Sequence, residues 1–147
     1  MTTAGHLRSD GGAYSGDKYN SVLYANPSHD HRWVTLKLEG VQSNRSAIGA
    51  RVRVTVATAA GDRTIHRTVN TGASFGSSPL RQQIGLGNAE SIKSIEIFWP
   101  TTGKSQRIPG VPMDGYYKIE ETAAVAEPFK LKSFPLKAPA EKLNAQR

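Results

Sequence analysis

The stretch that decides the fold reads Arg51-Val52-Arg53-Val54-Thr55-Val56. Valine fills every second position, and the positions between hold arginine or threonine. Side chains of a strand point alternately to its two faces, so this period predicts a β-strand with one buried and one exposed face. Residues 64–69 can return across Ala59-Ala60-Gly61-Asp62 as the second strand of a hairpin.

Further strands are predicted on both sides of this hairpin. Residues 33–39 and 92–99 alternate in the same way, and shorter strands are predicted at 106–108 and 116–120. Gly85-Leu86-Gly87 is interpreted as a bend between strands. Turns at this spacing favour an all-β fold over a βαβ fold, whose crossovers need about a dozen residues. We therefore expect a β-sandwich of about seven to nine mainly antiparallel strands.

Composition divides the chain into three parts. The 147 residues suffice for one domain with one core. Residues 1–30 are rich in Gly, Ser, Asp and Asn and are predicted to form an irregular N-terminal arm, whereas residues 31–121 hold the predicted strands. Residues 122–147 are rich in Pro, Ala and Lys, so we expect an extended, basic C-terminal tail.

The charge of the chain bears on its partners. Lysine and arginine outnumber aspartate and glutamate by 19 to 12, which gives a net charge of +7. Such an excess is typical of proteins that bind nucleic acid, anionic lipid or acidic polysaccharide. In residues 122–147, however, five cations stand against two carboxylates, and no stripe of basic and aromatic residues is visible elsewhere. We therefore expect no nucleic-acid partner.

The sequence lacks the residues that several kinds of site and targeting segment require. The absence of cysteine excludes disulfides and thiolate sites. No apolar run approaches ~18 residues, so we expect no membrane insertion, and the first six residues lack the apolar region of a signal peptide.

Catalytic and metal chemistry is also poorly represented. His29-Asp30-His31 could supply two imidazoles, but a catalytic zinc site needs a third protein ligand that no spacing nominates. The hydroxyls of Ser74, Ser77 and Ser78 stand outside any nucleophile motif. The adjacent Glu120-Glu121 pair would point to opposite faces of a strand. We expect no catalytic residues, no metal site and no cofactor.

The segment Ser43–Arg51 permits two interpretations. Its small polar residues can bond local backbone and Gly49 can adopt a positive φ, which would make it a compact connection between strands. Alternatively, Arg45 and Arg51 present planar guanidinium groups beside Asn44, a set suited to carboxylate, sulfate or phosphate. We predict Asn44, Arg45 and Arg51 as ligand-binding residues.

Two further side chains are candidates for ligand contact. Trp33 falls in the polar phase of its strand and could stack on a sugar ring, whereas Trp99 shares its phase with two isoleucines and is predicted to lie in the core. Arg67 falls in the apolar phase of the 64–69 strand. It therefore either pairs with a carboxylate at the sheet margin or lines a pocket as a secondary binding residue.

From about Tyr24 to Glu121 the chain resembles the ASPIC/UnbV domain. The similarity is carried by seven short motifs in the expected order: His31-Arg32-Trp33-Val34, Ser43-Asn44-Arg45, Ala47-Ile48-Gly49-Ala50-Arg51-Val52, Gly72-Ala73-Ser74-Phe75, Gly85-Leu86-Gly87, Phe98-Trp99-Pro100 and Tyr116-Tyr117-Lys118-Ile119-Glu120-Glu121. One departure is that the usual Trp-Pro-Ser-Gly reads Trp99-Pro100-Thr101-Thr102-Gly103, one residue longer. The turn after Trp99 is therefore expected to differ in shape.

The resemblance implies a non-catalytic β-module of extracellular, periplasmic or cell-surface proteins, attached to a propeller of FG-GAP/VCBS repeats. The implied role is adhesion or interaction with a protein or glycan partner, including an acidic one, or packing on the adjacent propeller. Because the propeller repeats lie outside this sequence, no calcium site is carried over. Two alternatives remain: an enzyme or enzyme-supporting role in secondary-metabolite biosynthesis, as the UnbV members suggest, and a purely structural capping role.

Overall fold

The computed structural model describes residues 7–10, 13–16, 30–72 and 79–132. The chain forms two compact units, Met1–Asp30 and His31–Arg147. In the first unit, β1 (Leu7–Asp10) and β2 (Ala13–Gly16) pair as an antiparallel hairpin. His29 and the three serines considered above (Ser74, Ser77 and Ser78) lie outside the described residues.

The described part of the second unit contains eight strands. Their bounds are β3 (Arg32–Glu39), β4 (Arg51–Thr58), β5 (Gly61–Thr68), β6 (Gln82–Gly87), β7 (Ser91–Trp99), β8 (Lys104–Pro109), β9 (Gly115–Glu120) and β10 (Glu127–Pro128). The described ranges contain no helix with the length and apolarity that crossing a lipid bilayer requires.

These strands form two four-stranded sheets. One has the order β10-β9-β3-β6 and is called the β3 sheet; the other has the order β5-β4-β7-β8 and is called the β4 sheet. All neighbouring strands are antiparallel except β3 and β9, which are parallel. The predicted all-β sandwich of mainly antiparallel strands is confirmed.

The core lies between the two sheets and follows the alternation of the sequence. Val52, Val54 and Val56 are fully buried, whereas Arg51 and Arg53 between them are exposed. The β3 sheet contributes the inward residues Val34, Leu36, Leu38, Ile84, Leu86 and Ile119. The prediction that Trp99 belongs to the core is confirmed, since its side chain is buried. Its Nε1 donates a hydrogen bond to Gln106 Oε1 at 2.8 Å, so the indole keeps a polar partner.

The interpretation of residues 85–87 as a bend is wrong, because they lie within β6. Ile84 and Leu86 are buried and pair this strand with β3, where Val34 lies opposite Ile84. The glycine between them faces outward opposite Trp33 and carries no side chain, so only two positions reveal the alternation. Gly87 then ends the strand with φ of 56°.

One glycine permits a close backbone approach where β3 ends. A Cβ atom on Gly40 would lie 2.7 Å from the carbonyl oxygen of Ser43 and closer still to that of Asn44. Both atoms belong to the main chain, so relief requires movement of the whole connection. Gly40 N also donates to Arg45 O at 3.2 Å.

Replacing Gly40 by alanine should therefore destabilise the fold by roughly 2–3 kcal/mol, because the added methyl group overlaps backbone atoms. The matched control is Gly85→Ala in β6, where a Cβ meets nothing within 4 Å. Thermal unfolding followed by circular dichroism should show a clear fall in Tm for G40A and an unchanged or higher Tm for G85A. Equal Tm values for the two variants would contradict this packing.

Candidate functional site

The connection 40–50 carries residues from β3 of one sheet to β4 of the other, and its local structure follows from its small polar residues. Asn44 Oδ1 accepts a hydrogen bond from Ser46 N at 2.9 Å. Asn44 O accepts one from Ala47 N at 2.7 Å, and Ala47 adopts the left-handed conformation with φ of 55°. The side chain of Asn44 therefore builds a turn, which is the first of the two interpretations of this segment.

A buried carboxylate holds the start of this connection. Glu121 is only 3% exposed, and its Oε2 accepts hydrogen bonds from three consecutive backbone amides, those of Val41, Gln42 and Ser43, at 2.7–2.8 Å. Its Oε1 accepts from the hydroxyl of Ser43 at 2.8 Å and from that of Thr102 at 3.3 Å. Successive amides that converge on one point form a concave anion-binding site, and here the anion belongs to the protein itself.

These contacts set the protonation state of Glu121. Burial of the carboxyl group acts to raise its pKa, but the hydrogen bonds from the backbone and hydroxyl of Ser43 and from the other two amides outweigh burial and lower the pKa to about 2. Glu121 is therefore an anion at neutral pH.

The carboxylate also joins three segments that are far apart in sequence. It links the connection after β3, the turn that follows Trp99-Pro100, and the end of β9. In the sequence Glu121 is distinguished only as a neighbour of Glu120, and no local motif predicts this role. The expected opposite orientation of the two carboxylates is nonetheless what is seen, because Glu120 is exposed and Glu121 is buried.

Arg45 lies on the same connection and is held by an ion pair. Its side chain is 87% exposed, yet its guanidinium lies 3.0 Å from Glu39 Oε1, while Lys118 Nζ lies 3.1 Å from Glu39 Oε2. The hydrogen bond from Lys118, together with the nearby positive charges, lowers the pKa of Glu39 below its ordinary value. The positive charge of Arg45 is thus partly compensated within the domain.

Trp33 is half-buried on the β3 sheet. Its ring packs edge-on against Tyr116 with centroids 5.1 Å apart, and Tyr116 in turn contacts Phe129 at 5.9 Å. Trp33 and Glu39 lie six residues apart along β3, which is about 20 Å. Trp33 and Arg45, which pairs with Glu39, are therefore at opposite ends of this strand and do not form one site.

Arg51 lies on the β4 sheet, with its guanidinium 4.4 Å above the centre of the Phe98 ring. It lines a shallow depression of about 310 Å³ that Arg67 also lines. Arg67 donates to the backbone carbonyl of its neighbour His66 at 3.1 Å and pairs with no described carboxylate. The structure thus brings Arg51 and Arg67 together and separates both from Trp33.

The outer face of the β4 sheet, called the basic face, has an excess of arginine. Strand register places Arg53, Glu96 and Arg107 side by side across three strands, with Arg51 and Phe98 in the next row. Arg53 pairs with Glu96, and Lys93 pairs with Asp62 at 2.6 Å. Arg51 and Arg107 form no ion pair with the described carboxylates.

Arg107 is not among the candidate residues predicted from the sequence, although a signal for its exposure on this face exists. It precedes Ile108 in a short predicted strand, so its side chain had to point away from the buried isoleucine. Within residues 30–72 and 79–132, no three His, Asp or Glu side chains lie close enough together to hold a metal ion.

The sequence of this domain matches a known family. Residues 40–126 match the family described as ASPIC and UnbV, and the chain therefore belongs to the ASPIC and UnbV family. The matched range begins at Gly40 and includes the 40–50 connection, the turn after Trp99 and Glu121. The comparison with curated proteins finds no match.

The role of Glu121 can be tested by replacing it with glutamine, which keeps the shape but removes the charge. The amide nitrogen of the new side chain would face backbone donors, so we expect a loss of roughly 2–4 kcal/mol at pH 7. The matched control is Glu120→Gln, at the exposed neighbouring position, which should change stability little. Urea unfolding of the three proteins measures both effects.

Measuring the stabilities of the wild type and E121Q as a function of pH tests whether the charge of Glu121 causes the difference between them. Because the folded pKa of Glu121 is about 2 and the ordinary value is 4.5, its contribution is complete above pH 4.5 and is lost as the pH falls towards 2. The stability difference between wild type and E121Q should therefore shrink over that range. A difference that stays constant from pH 7 to pH 2.5 would contradict a charged Glu121 as its source.

Proposed function

We propose that this domain is a non-catalytic interaction module that binds an acidic partner, an acidic glycan above all, on the basic face of the β4 sheet. The observation that carries the proposal is the pair of exposed arginines, Arg51 and Arg107, which have no described carboxylate partner. Arginine presents planar donors that match carboxylates and sulfates, and it is less strongly hydrated than lysine. An anionic ligand would supply the missing counter-charge.

The arrangement of the charges also suits an extended ligand. Arg51 and Arg107 lie two strands and one row apart, which places their Cα atoms about 12 Å apart on a flat surface. The paired Arg53 and Glu96 lie between them and add no net charge. A linear polymer with repeated anionic groups can reach both arginines at once, whereas a small ion reaches only one.

Phe98 gives Arg51 a defined position on this face. A guanidinium over an aromatic ring is attracted by its electron-rich face, and the contact leaves the outer edge of the guanidinium free to donate hydrogen bonds. The nearby hydroxyl side chains of Thr55 and Ser105 can donate to and accept from sugar hydroxyls. The face therefore combines charge with neutral polar groups, as an acidic glycan would require. Such ligands fit the extracellular, periplasmic or cell-surface location that we propose.

Packing against another domain, such as a propeller, is the second candidate function. Three aliphatic side chains are exposed in the connections near Glu121, namely Val41 at 62%, Ile48 at 45% and Val125 at 65%. Val41 follows β3, Ile48 precedes β4 and Val125 follows β9, so the strand directions bring these connections to one end of the sandwich. Apolar residues exposed at one end favour a protein neighbour there. This function would use a different surface from the basic face.

The proposal predicts that Arg51→Ala combined with Arg107→Ala weakens binding to immobilised heparin by about tenfold or more, through loss of two charge-assisted contacts. The matched control is Lys37→Ala combined with Arg45→Ala, which removes the same charge from the β3 sheet side. Surface plasmon resonance at two salt concentrations measures the affinities, with neutral dextran as the reference surface.

The control double variant should bind heparin nearly as well as the wild type. Equal weakening by both double variants would mean that heparin responds only to net charge, and the proposal would fail. Thermal unfolding should show that both variants are folded, since all four side chains lie at the surface.

A further inference from the structure

The two sheets do not close along one side of the sandwich, where β5 and β6 are the edge strands. Near the start of β5 the gap is bridged, because Arg63 donates a hydrogen bond to the carbonyl of Leu86 in β6. Towards the end of β5 the gap widens into a cavity of about 470 Å³, called the edge cleft. Small-molecule sites usually occupy about 300–1,000 Å³, so the edge cleft has a suitable size.

The charged residues among the described lining of the edge cleft are all cationic. Arg67 of β5 and Arg81, which immediately precedes β6, both line it, so there is one arginine on each side of the gap. The other lining residues are neutral or weakly basic: His66, Thr68, Asn70, Pro79, Gln82 and Gln83. No described carboxylate lines this cleft. Two arginines that line one cleft without a described counter-ion make a favourable place for an anion.

Neighbouring hydrogen bonds keep the rim of the cleft in place and leave donors available. Asn70 Nδ2 donates to Thr68 O at 3.2 Å, and its Oδ1 accepts from Gly72 N at 3.1 Å. Gln82 Nε2 donates to Leu80 O at 2.9 Å, which holds the segment before β6. Arg67 uses one donor on the carbonyl of His66, so its remaining N–H groups can reach a ligand.

The edge cleft adjoins the depression on the basic face. His66, Arg67 and Thr68 line both, since β5 separates the outer face of the β4 sheet from the gap between the sheets. A polymer that lies across Arg51 could therefore place one residue over β5 and into the cleft. The position of Arg67 at this junction explains how one side chain can serve both surfaces.

We propose that the edge cleft binds a single anionic sugar unit of an acidic glycan, with Arg67 and Arg81 holding its carboxylate or sulfate group from opposite sides. Gln82, Gln83 and Asn70 are the neutral groups placed to bond sugar hydroxyls. This inference rests on the proposed function. The basic face attracts anionic polymers in general, and the edge cleft selects among them by the sugar unit that it binds.

The test is an NMR titration of the full chain with disaccharides, which are too short to span Arg51 and Arg107. A sulfated disaccharide and an unsulfated uronate disaccharide are the two anionic arms, and cellobiose is the neutral control. The anionic sugar should shift the backbone amides of residues 66–70 and 81–83 and the side-chain amides of Gln82 and Gln83. The arm that binds identifies sulfate or carboxylate as the recognised group.

Arg81→Ala should raise the Kd of that disaccharide by about tenfold or more, and Arg81→Lys should fall between, since it keeps the charge but loses the planar fork. The control for lost charge is Lys130→Ala, at an exposed position outside the cleft, which should leave the Kd unchanged. Equal shifts with cellobiose, no shifts with either anionic sugar, or equal Kd values for R81A and K130A would each overturn the inference.

Failure of the edge cleft and failure of the basic face give different results. If only the cleft inference is wrong, heparin binding still depends on Arg51 and Arg107 while the disaccharides produce no shifts at residues 81–83. If only the basic face is wrong, the disaccharides bind through Arg81, but the Arg51 and Arg107 double variant retains the heparin affinity of the wild type.

Discussion

The hydrogen bonds between the Glu121 carboxylate and the amides of residues 41–43 are the interaction on which the rest of this fold depends. A buried carboxylate without partners would be strongly unfavourable, and three converging amides without an acceptor would be unfavourable too. The carboxylate and the three amides therefore each require the other as hydrogen-bond partner. Glu121 N also donates to Glu39 O at 2.8 Å, so the same residue extends the parallel pairing of β3 and β9 by one step. The end of the sandwich is organised around this one charge.

The hydrogen bonds and ion pairs at this end of the sandwich determine which basic groups remain available to bind a ligand. The 40–50 connection contains the amides and arginines that made it a candidate for anion binding, but its amides are engaged by Glu121 and Arg45 is paired with Glu39. On the β3 sheet, Lys118 also pairs with Glu39, and Arg32 pairs with Asp114 at 2.7 Å. Within residues 30–72 and 79–132, the arginines without described counter-ions lie on the β4 sheet and at the adjoining edge cleft. The two four-stranded sheets thus differ in surface chemistry.

The sequence predicted most of the fold because the main strands alternate strictly. The β4 strand with its three valines and the hairpin to β5 were found from period alone, and the hairpin register already implies that Arg67 lies opposite Val52. The β6 strand was missed because Gly85 offers no side chain between its two buried residues. A strand can be predicted from the sequence when many of its positions show the alternation of apolar and polar side chains, and it is overlooked when few do.

The candidate site was harder to predict, for a physical reason. Glu121 meets Val41 across 80 positions of sequence, and no local pattern marks a carboxylate that accepts backbone amides from a distant loop. The separation of Arg45 from Arg51 likewise depends on the connection passing from one sheet to the other, which the spacing of six residues does not reveal. Arg107 and Arg81 gain their relevance only from strand register and from the open edge of the sandwich.

The most direct test is an NMR titration of the Glu121 side-chain carboxyl carbon, followed together with the amide protons of Val41, Gln42 and Ser43. If the carboxylate is bound by these amides, the carboxyl carbon will titrate with a pKa of about 2 and the three amides will shift with the same midpoint. A carboxyl that titrates near its ordinary value of 4.5, with amides that do not respond, would contradict the account.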